Sequence, residues 1–267
     1  MMKRILTLAL GLLLCAAAAR SQNWKTATDI GYSQTDEYAQ QRCKLDVYYA
    51  EGEKDLPVVV WFHGGGLTGG NKSIPVQLKN SGIVVVAVNY RLLPKATIDQ
   101  CVDDAAAAVA WTFAHATEYG GSPEKIFVAG HSAGGYLTNM IGLDKHWLAK
   151  YGVDADKIAA LVPYSGQVIT HFAIRSQRGM KPTQPLIDEY APLYHVRPDA
   201  PPVIIISGDR ELELYGRYEE TAYFWRMLKL VGHPDVQLYE LDGYSHGDMA
   251  APAHHILKAQ IRRIAGK

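Results

Sequence analysis

A chain of 267 residues, 48% hydrophobic and 20% charged, is long enough for one large domain with a substantial core. Its 27 Lys and Arg residues balance 27 Asp and Glu, which argues against nucleic acid or an anionic membrane as a partner. No internal repeat, low-complexity run or Pro/Gly/Ser linker divides the sequence.

The first element in chain order reads as an export signal over residues 1–21. Lys3 and Arg4 supply its positive start, Ile5 to Leu14 its apolar core, and Ala16 to Ala19 the small residues for cleavage. The apolar stretch is too short for a membrane span, so residues 22–267 are expected in the periplasm or outside the cell, with no transmembrane segment. Leu12-Leu13-Leu14-Cys15 resembles a lipoprotein signal, but Leu14 is too large before the cysteine, which disfavours anchoring through Cys15. Of the two remaining cysteines, Cys43 opens a strand-like segment and Cys101 a helix. Two separate buried thiols are therefore favoured over a disulfide.

From Lys44 to Tyr49 the pattern alternates, as in a half-buried edge strand. Val58–Phe62 and Ile83–Val88 are continuous β-branched runs suited to strands buried on both faces. An alanine-rich helical pattern covers Asp103–Ala116. Strand-like runs follow at Ile126–Ala129, Ile158–Pro163, Val203–Ser207 and Val236–Leu241, with helical patterns at Thr221–Val231 and His255–Ile264. This alternation predicts an α/β domain whose mostly parallel central sheet carries helices on both faces. The proline-bearing stretch 167–197 breaks the rhythm and reads equally as a small lid over the active site or a surface excursion.

Gly130-His131-Ser132-Ala133-Gly134 is G-x-S-x-G in strand–turn–helix context, where a serine is held on a sharp, strained turn as a nucleophile. A serine hydroxyl is inert at neutral pH without a base. Of ten histidines, His246 is best placed, in the loop after the last strand-like run and before the last helix; His233, His254 and His255 fall elsewhere. The orienting acid belongs in the loop after Val203–Ser207. Counting from Gly208 favours Glu211, with Asp209 as the alternative and Glu213 third. Gly64 and Gly65, after the strand Val58–Phe62, and Ala133, after the serine, offer backbone N–H groups for an oxyanion. His63 reads as an anchor of that loop. Trp61, Tyr164 and Gln167 are candidates to line the pocket, although core packing accounts for Trp61 equally well.

Gly64 to Gly69 also satisfies the dinucleotide pattern G-x-G-x-x-G, but the following strand ends at Asn89-Tyr90-Arg91 without the acidic residue that would hold a ribose. A phosphate loop is approached over Gly65–Ser73, where Asn71 displaces the lysine by one position. No histidine or cysteine spacing suggests a metal site, and no cofactor is expected.

On His63–Gly66, Asn89–Leu92, Gly130–Gly135 and Tyr244–Gly247, the chain from about Lys44 onward resembles the α/β-hydrolase superfamily. It is similar to the carboxylesterase and lipase branch with an H-G-G-G oxyanion loop, including hormone-sensitive-lipase-like enzymes. The stretch before the first strands is too short for the helical cap many of those build, so it also resembles smaller feruloyl-esterase-like, acetyl-esterase-like and arylformamidase-like hydrolases. The resemblance implies Ser132 as nucleophile, His246 as base, an acid within 209–213, and donors at Gly64, Gly65 and Ala133. It further implies cleavage of carboxylic esters through an acyl-enzyme, on a small-molecule or carbohydrate ester such as an acetyl or feruloyl ester. An amidase or arylformamidase is the alternative, and a non-catalytic binding protein of the same fold a more distant one.

Overall fold

The computed structural model describes residues 23–266; the expected export signal and Cys15 lie outside the described residues. Eight strands form one sheet: β1 (Trp24–Gly31), β2 (Lys44–Ala50), β3 (Leu56–Phe62), β4 (Val84–Val88), β5 (Gly121–His131), β6 (Ala160–Tyr164), β7 (Val203–Gly208) and β8 (Val236–Leu241). Their spatial order is β1-β2-β4-β3-β5-β6-β7-β8. The first two strands pair antiparallel, and the six from β4 to β8 in that order run parallel. The helices are α1 (Glu37–Arg42), α2 (Ile98–His115), α3 (Ala133–Leu143), α4 (His146–Ala149), α5 (Phe172–Gln177), α6 (Arg217–Leu230) and α7 (Ala250–Ala265). Among the described residues no helix is long and apolar enough to cross a membrane.

The β-branched runs occupy the sheet's interior because both of their faces are covered. Val58, Val60 and Phe62 of β3 pack with Val102, Ala106 and Leu137 from α2 and α3, and with Phe224 from α6. Their alternates Val59 and Trp61 pack with Met249, which caps α7, and with Ala253, Leu257 and Ile261 of that helix on the opposite face. The period of two along each strand thus divides the apolar side chains between two cores.

Three sequence expectations are corrected. The edge strands are β1 and β8, and Lys44–Ala50 lies one place inward between β1 and β4. β1 escapes a period-two reading because its partly buried apolar residues, Trp24, Ala27 and Ile30, fall three apart; its register shifts between Ala27 and Ile30, where Asp29 has φ 56°. The helix expected from Asp103 begins at Ile98. Thr97 caps it, accepting from the N–H of Gln100 while the Gln100 side chain accepts from the N–H of Thr97. The last two helices also start early, at Arg217 and Ala250. Cys43 and Cys101 are buried, separate thiols.

Candidate active site

Parallel strands deliver their following loops to one edge of a sheet, and the site gathers there: Gly64 after β3, Ser132 after β5, Glu213 after β7 and His246 after β8. At Ser132 the chain turns from β5 straight into α3 with φ 55° and ψ −115°, a conformation disfavoured for any residue but glycine. Its glycine neighbours make the turn feasible. A Cβ on Gly130 would lie 2.5 Å from the Gly134 backbone, and one on Gly134 would lie 2.1 Å from the Phe62 carbonyl oxygen.

His246 Nε2 lies 2.9 Å from Ser132 Oγ. Its Nδ1 lies 2.8 Å from Glu213 Oε2, so that the imidazole joins hydroxyl to carboxylate. The Glu213 side chain is 1% exposed and that of His246 17%. Burial pushes the Glu213 carboxyl upward, but hydrogen bonds from His246 and Ser165, the His246 charge and the Gly208 N–H outweigh it and hold the group at about 2. It therefore stands ionised across the neutral range.

The carboxylate that reaches the histidine is Glu213, not Glu211 or Asp209. The N–H groups of Leu212 and Glu213 both donate to the Asp209 carbonyl, so the loop makes one helical turn after the strand. That turn swings the Glu213 side chain back to the strand end, where its Oε1 accepts from the Gly208 N–H at 2.9 Å. Glu211 falls on the far side of the turn and is exposed. Asp209 ties two loops together, accepting from the N–H groups of Glu211 (2.8 Å) and Gly243 (2.7 Å). Counting from Gly208 placed Glu213 last of the three because fixed spacing ignores the turn.

Ser165 was not anticipated. It follows β6 with φ 46°, and its Oγ lies 2.9 Å from His246 Nδ1, beside Glu213. The buried Arg217 donates to its carbonyl. A non-glycine residue at positive φ is visible only in the folded backbone, and no motif announces it.

Gly64 lies against the serine: a Cβ built on it would be 3.4 Å from Ser132 Cβ and 3.2 Å from His131 Nδ1. Gly65, at φ 114°, folds the following loop so tightly that a Cβ would strike the Gly69 carbonyl at 2.3 Å. Ala133 opens α3, where the first N–H groups of a helix lack intrahelical acceptors. The loop is held from behind by His63, which stacks on Tyr90 at 4.5 Å, donates from Nδ1 to the Gly64 carbonyl and faces the Arg42 guanidinium with Nε2. Burial, chiefly, lowers His63 to about 4, so it stands neutral as this pairing requires. Burial and then the His246 charge lower His131 to about 4; its Nε2 donates to the His246 carbonyl at 2.7 Å.

The other histidines weighed from the sequence lie away from Ser132. His233 is buried against the Ala200 and Pro201 carbonyls, and His254 packs on Trp61 and Tyr164. Trp61 and Tyr164 are core residues of the α7 face and not pocket lining. Gln167 does line a cavity, with residues of the 167–197 segment and of the acid loop. Within that segment, Phe172 of α5 lies against the oxyanion loop, where a Cβ on Gly66 would meet its ring at 2.9 Å. Among the described residues, no three His, Cys, Asp or Glu side chains are grouped to hold a metal ion.

The BD-FAE family pattern matches residues 45–214, more than half of the chain, and takes in Ser132 and Glu213. A probable carboxylic ester hydrolase of Mycobacterium tuberculosis, LipM, is 30% identical over 177 residues, covering 57% of this chain and 40% of its own. Esterase LipC of the same organism is 27% identical over 217 residues, covering 73% and 53%. The chain thus spans about half the length of the curated relatives it matches. Among solved structures, a truncated carbohydrate esterase from gut microbiota superposes with a TM-score of 0.75 at 17% identity, covering 94% of this chain and 99% of that one. Thermogutta terrifontis esterase 2 phosphorylated by paraoxon gives 0.71 at 23% identity, covering 90% and 94%. These likenesses show the α/β-hydrolase fold.

Proposed function

The chain belongs to the BD-FAE family, and from that premise we propose that it is a serine hydrolase of carboxylic esters. One observation carries the reading: Ser132 Oγ, His246 and Glu213 stand in a continuous hydrogen-bonded line, with 2.9 and 2.8 Å between them. Ser132 attacks the ester carbonyl as His246 Nε2 takes its proton. The buried Glu213 carboxylate fixes the imidazole with Nε2 toward the serine and offsets the charge that develops on it. The N–H groups of Gly64, Gly65 and Ala133 receive the oxyanion, each such donor being worth about 3 kcal/mol. His246 then protonates the leaving alcohol, and a water activated by the same histidine releases the acid from Ser132.

Two finer readings follow from this one. The signal-like residues 1–21 support export to the periplasm or beyond the cell. The likeness to a gut carbohydrate esterase, together with the 167–197 segment read as a short lid, supports acetyl or feruloyl esters of carbohydrates as substrates. The test is release of p-nitrophenol from acetate, butyrate and octanoate esters, with Ser132→Ala in parallel. Turnover abolished in the variant is expected. Equal, feeble turnover by both proteins would overturn the reading.

A further inference from the structure

Beside the Ser132–His246–Glu213 line lies a cavity of about 220 Å³, lined by Gln167, Phe172, Arg175, Ser176, Met180, Pro182, Leu214, Tyr215 and Arg217. Three of its lining residues connect it to the site. Leu214 follows Glu213 in the chain, Arg217 donates to the carbonyl of Ser165, and Phe172 lies against Gly66 of the oxyanion loop. Phe172, Met180, Pro182, Leu214 and Tyr215 give it an apolar wall, yet two guanidinium groups, each on a residue only 3% exposed, also line it.

The two guanidiniums are unequally paired. Arg175 donates only to neutral acceptors, the carbonyls of Thr170 (3.0 Å), Pro182 (2.9 Å) and Gln184 (2.5 Å). Arg217 has Glu220 Oε1 at 2.9 Å from its Nε, but without hydrogen-bond alignment, and that Nε is left with no partner. Glu220 also accepts from the N–H of Ile169. Glu213, the other carboxylate nearby, is engaged by His246 and Gly208. His171 is held neutral by burial and then by the Arg217 and Arg175 charges, so it adds no third positive charge. Arg217 thus has Glu220 beside it and the Glu213 charge nearby, whereas Arg175 is a buried guanidinium with no carboxylate at ion-pair distance among the described residues. A buried charge is costly unless it is paired, and an incoming anion would relieve that cost.

We propose that this cavity receives an anionic group of the substrate, a carboxylate or an oxyanion of similar size, against Arg175 and Arg217. The preferred esters then carry a negative charge a few atoms from the scissile bond, with an apolar spacer along Phe172 and Leu214. This rests on the hydrolase reading above, and it adds a charge requirement that neither the fold nor the family supplies.

The experiment compares esters matched in size and differing in charge. On the acyl side these are p-nitrophenyl hemiglutarate and p-nitrophenyl valerate; on the alcohol side, 4-acetoxybenzoate and 4-acetoxybenzamide. The wild type should favour the anionic member of at least one pair by about tenfold or more in kcat/KM, as a charge-assisted hydrogen bond warrants. Most of that advantage should lie in KM and shrink in high salt. Arg175→Met should collapse the ratio, and Glu220→Gln, which removes the carboxylate beside Arg217, should raise it. If Arg175→Met does not fold, Glu220→Gln alone carries the test. Equal or greater rates for the neutral members of both pairs, or ratios untouched by the substitutions, would overturn the anion site and leave the ester hydrolase standing. Failure of the wild type to hydrolyse any of the four, with no labelling of Ser132 by paraoxon, would overturn the hydrolase reading itself.

Discussion

The two sides of the site are built in different ways. On one side, Ser132 is flanked by Gly130 and Gly134, whose backbone contacts leave no room for a single added carbon: a Cβ on Gly134 would meet the Phe62 carbonyl at 2.1 Å. On the other, Glu213 is placed by one turn of irregular chain, and its neighbours Leu212, Leu214 and Tyr215 are all exposed. The nucleophile's position is thus encoded locally, in residue types that alone fit. The acid's position depends on hydrogen bonds, from the loop to the Asp209 carbonyl and from Gly208 to the carboxylate.

The sharpest way to break this comparison is Glu213→Gln, which keeps the shape of the acid side and removes its charge. We expect kcat to fall roughly a thousandfold to ten-thousandfold, since an amide favours the wrong imidazole tautomer. Steady-state kinetics on p-nitrophenyl acetate measure it, and a loss below tenfold would return the role to another carboxylate. Gly134→Ala attacks the opposite side. Crowding against the Phe62 carbonyl should cost about 2–4 kcal/mol of stability, read from urea melts, together with most of the activity. A variant as stable as the wild type would show the elbow to be more pliant than its contacts imply.

Acid should separate the two sides in order. His63 and His131 beside the nucleophile, and His254 beneath Trp61, are lowered mainly by burial from 6.5 to about 4. Between those values the unfolded chain binds more protons than the folded one, so stability is full above pH 6.5 and falls as pH drops toward 4. Each histidine removes on the order of 1–3 kcal/mol. Glu213, held at about 2 against an ordinary 4.5, loses its contribution only in the lower window from 4.5 to 2. Urea midpoints taken from pH 7 to pH 3 should decline first through the histidine range. A flat midpoint down to pH 4.5 would contradict the neutral, buried histidines. The smallest effect belongs to Glu211→Gln: with the side chain in solvent, activity should stay within about twofold of wild type.

Much of the fold was legible because burial on both faces demands long β-branched runs, and Val58–Phe62, Ile126–Ala129 and Val203–Ser207 meet that demand without ambiguity. β1 was not legible: an exposed edge makes no such demand, and Trp24–Gly31 owes its extended form to pairing with β2. The start of α2 was present as a Thr97–Gln100 capping box, hidden because the apolar period strengthens only after Asp103. In the site, Ser132, His246, Gly64 and Ala133 could be located from motif and chain order. Glu213 could not, because three carboxylates share five positions and only the turn after β7 decides which one points inward. Ser165 was beyond reach, since its part follows from a positive φ and a neighbour 81 positions away.

The irregular first strand has a bearing beyond the site. A sheet's outermost strand offers a row of unpaired N–H and C=O groups on which another molecule could add a strand of its own. Here that row is interrupted between Ala27 and Ile30, Asp29 turns to positive φ, and its carboxylate is paired with Lys72 at 2.9 Å. The interruption twists the ribbon and leaves a stretch too short and too charged to template further growth. An irregular, charged edge of this kind disfavours the addition of a further strand at β1.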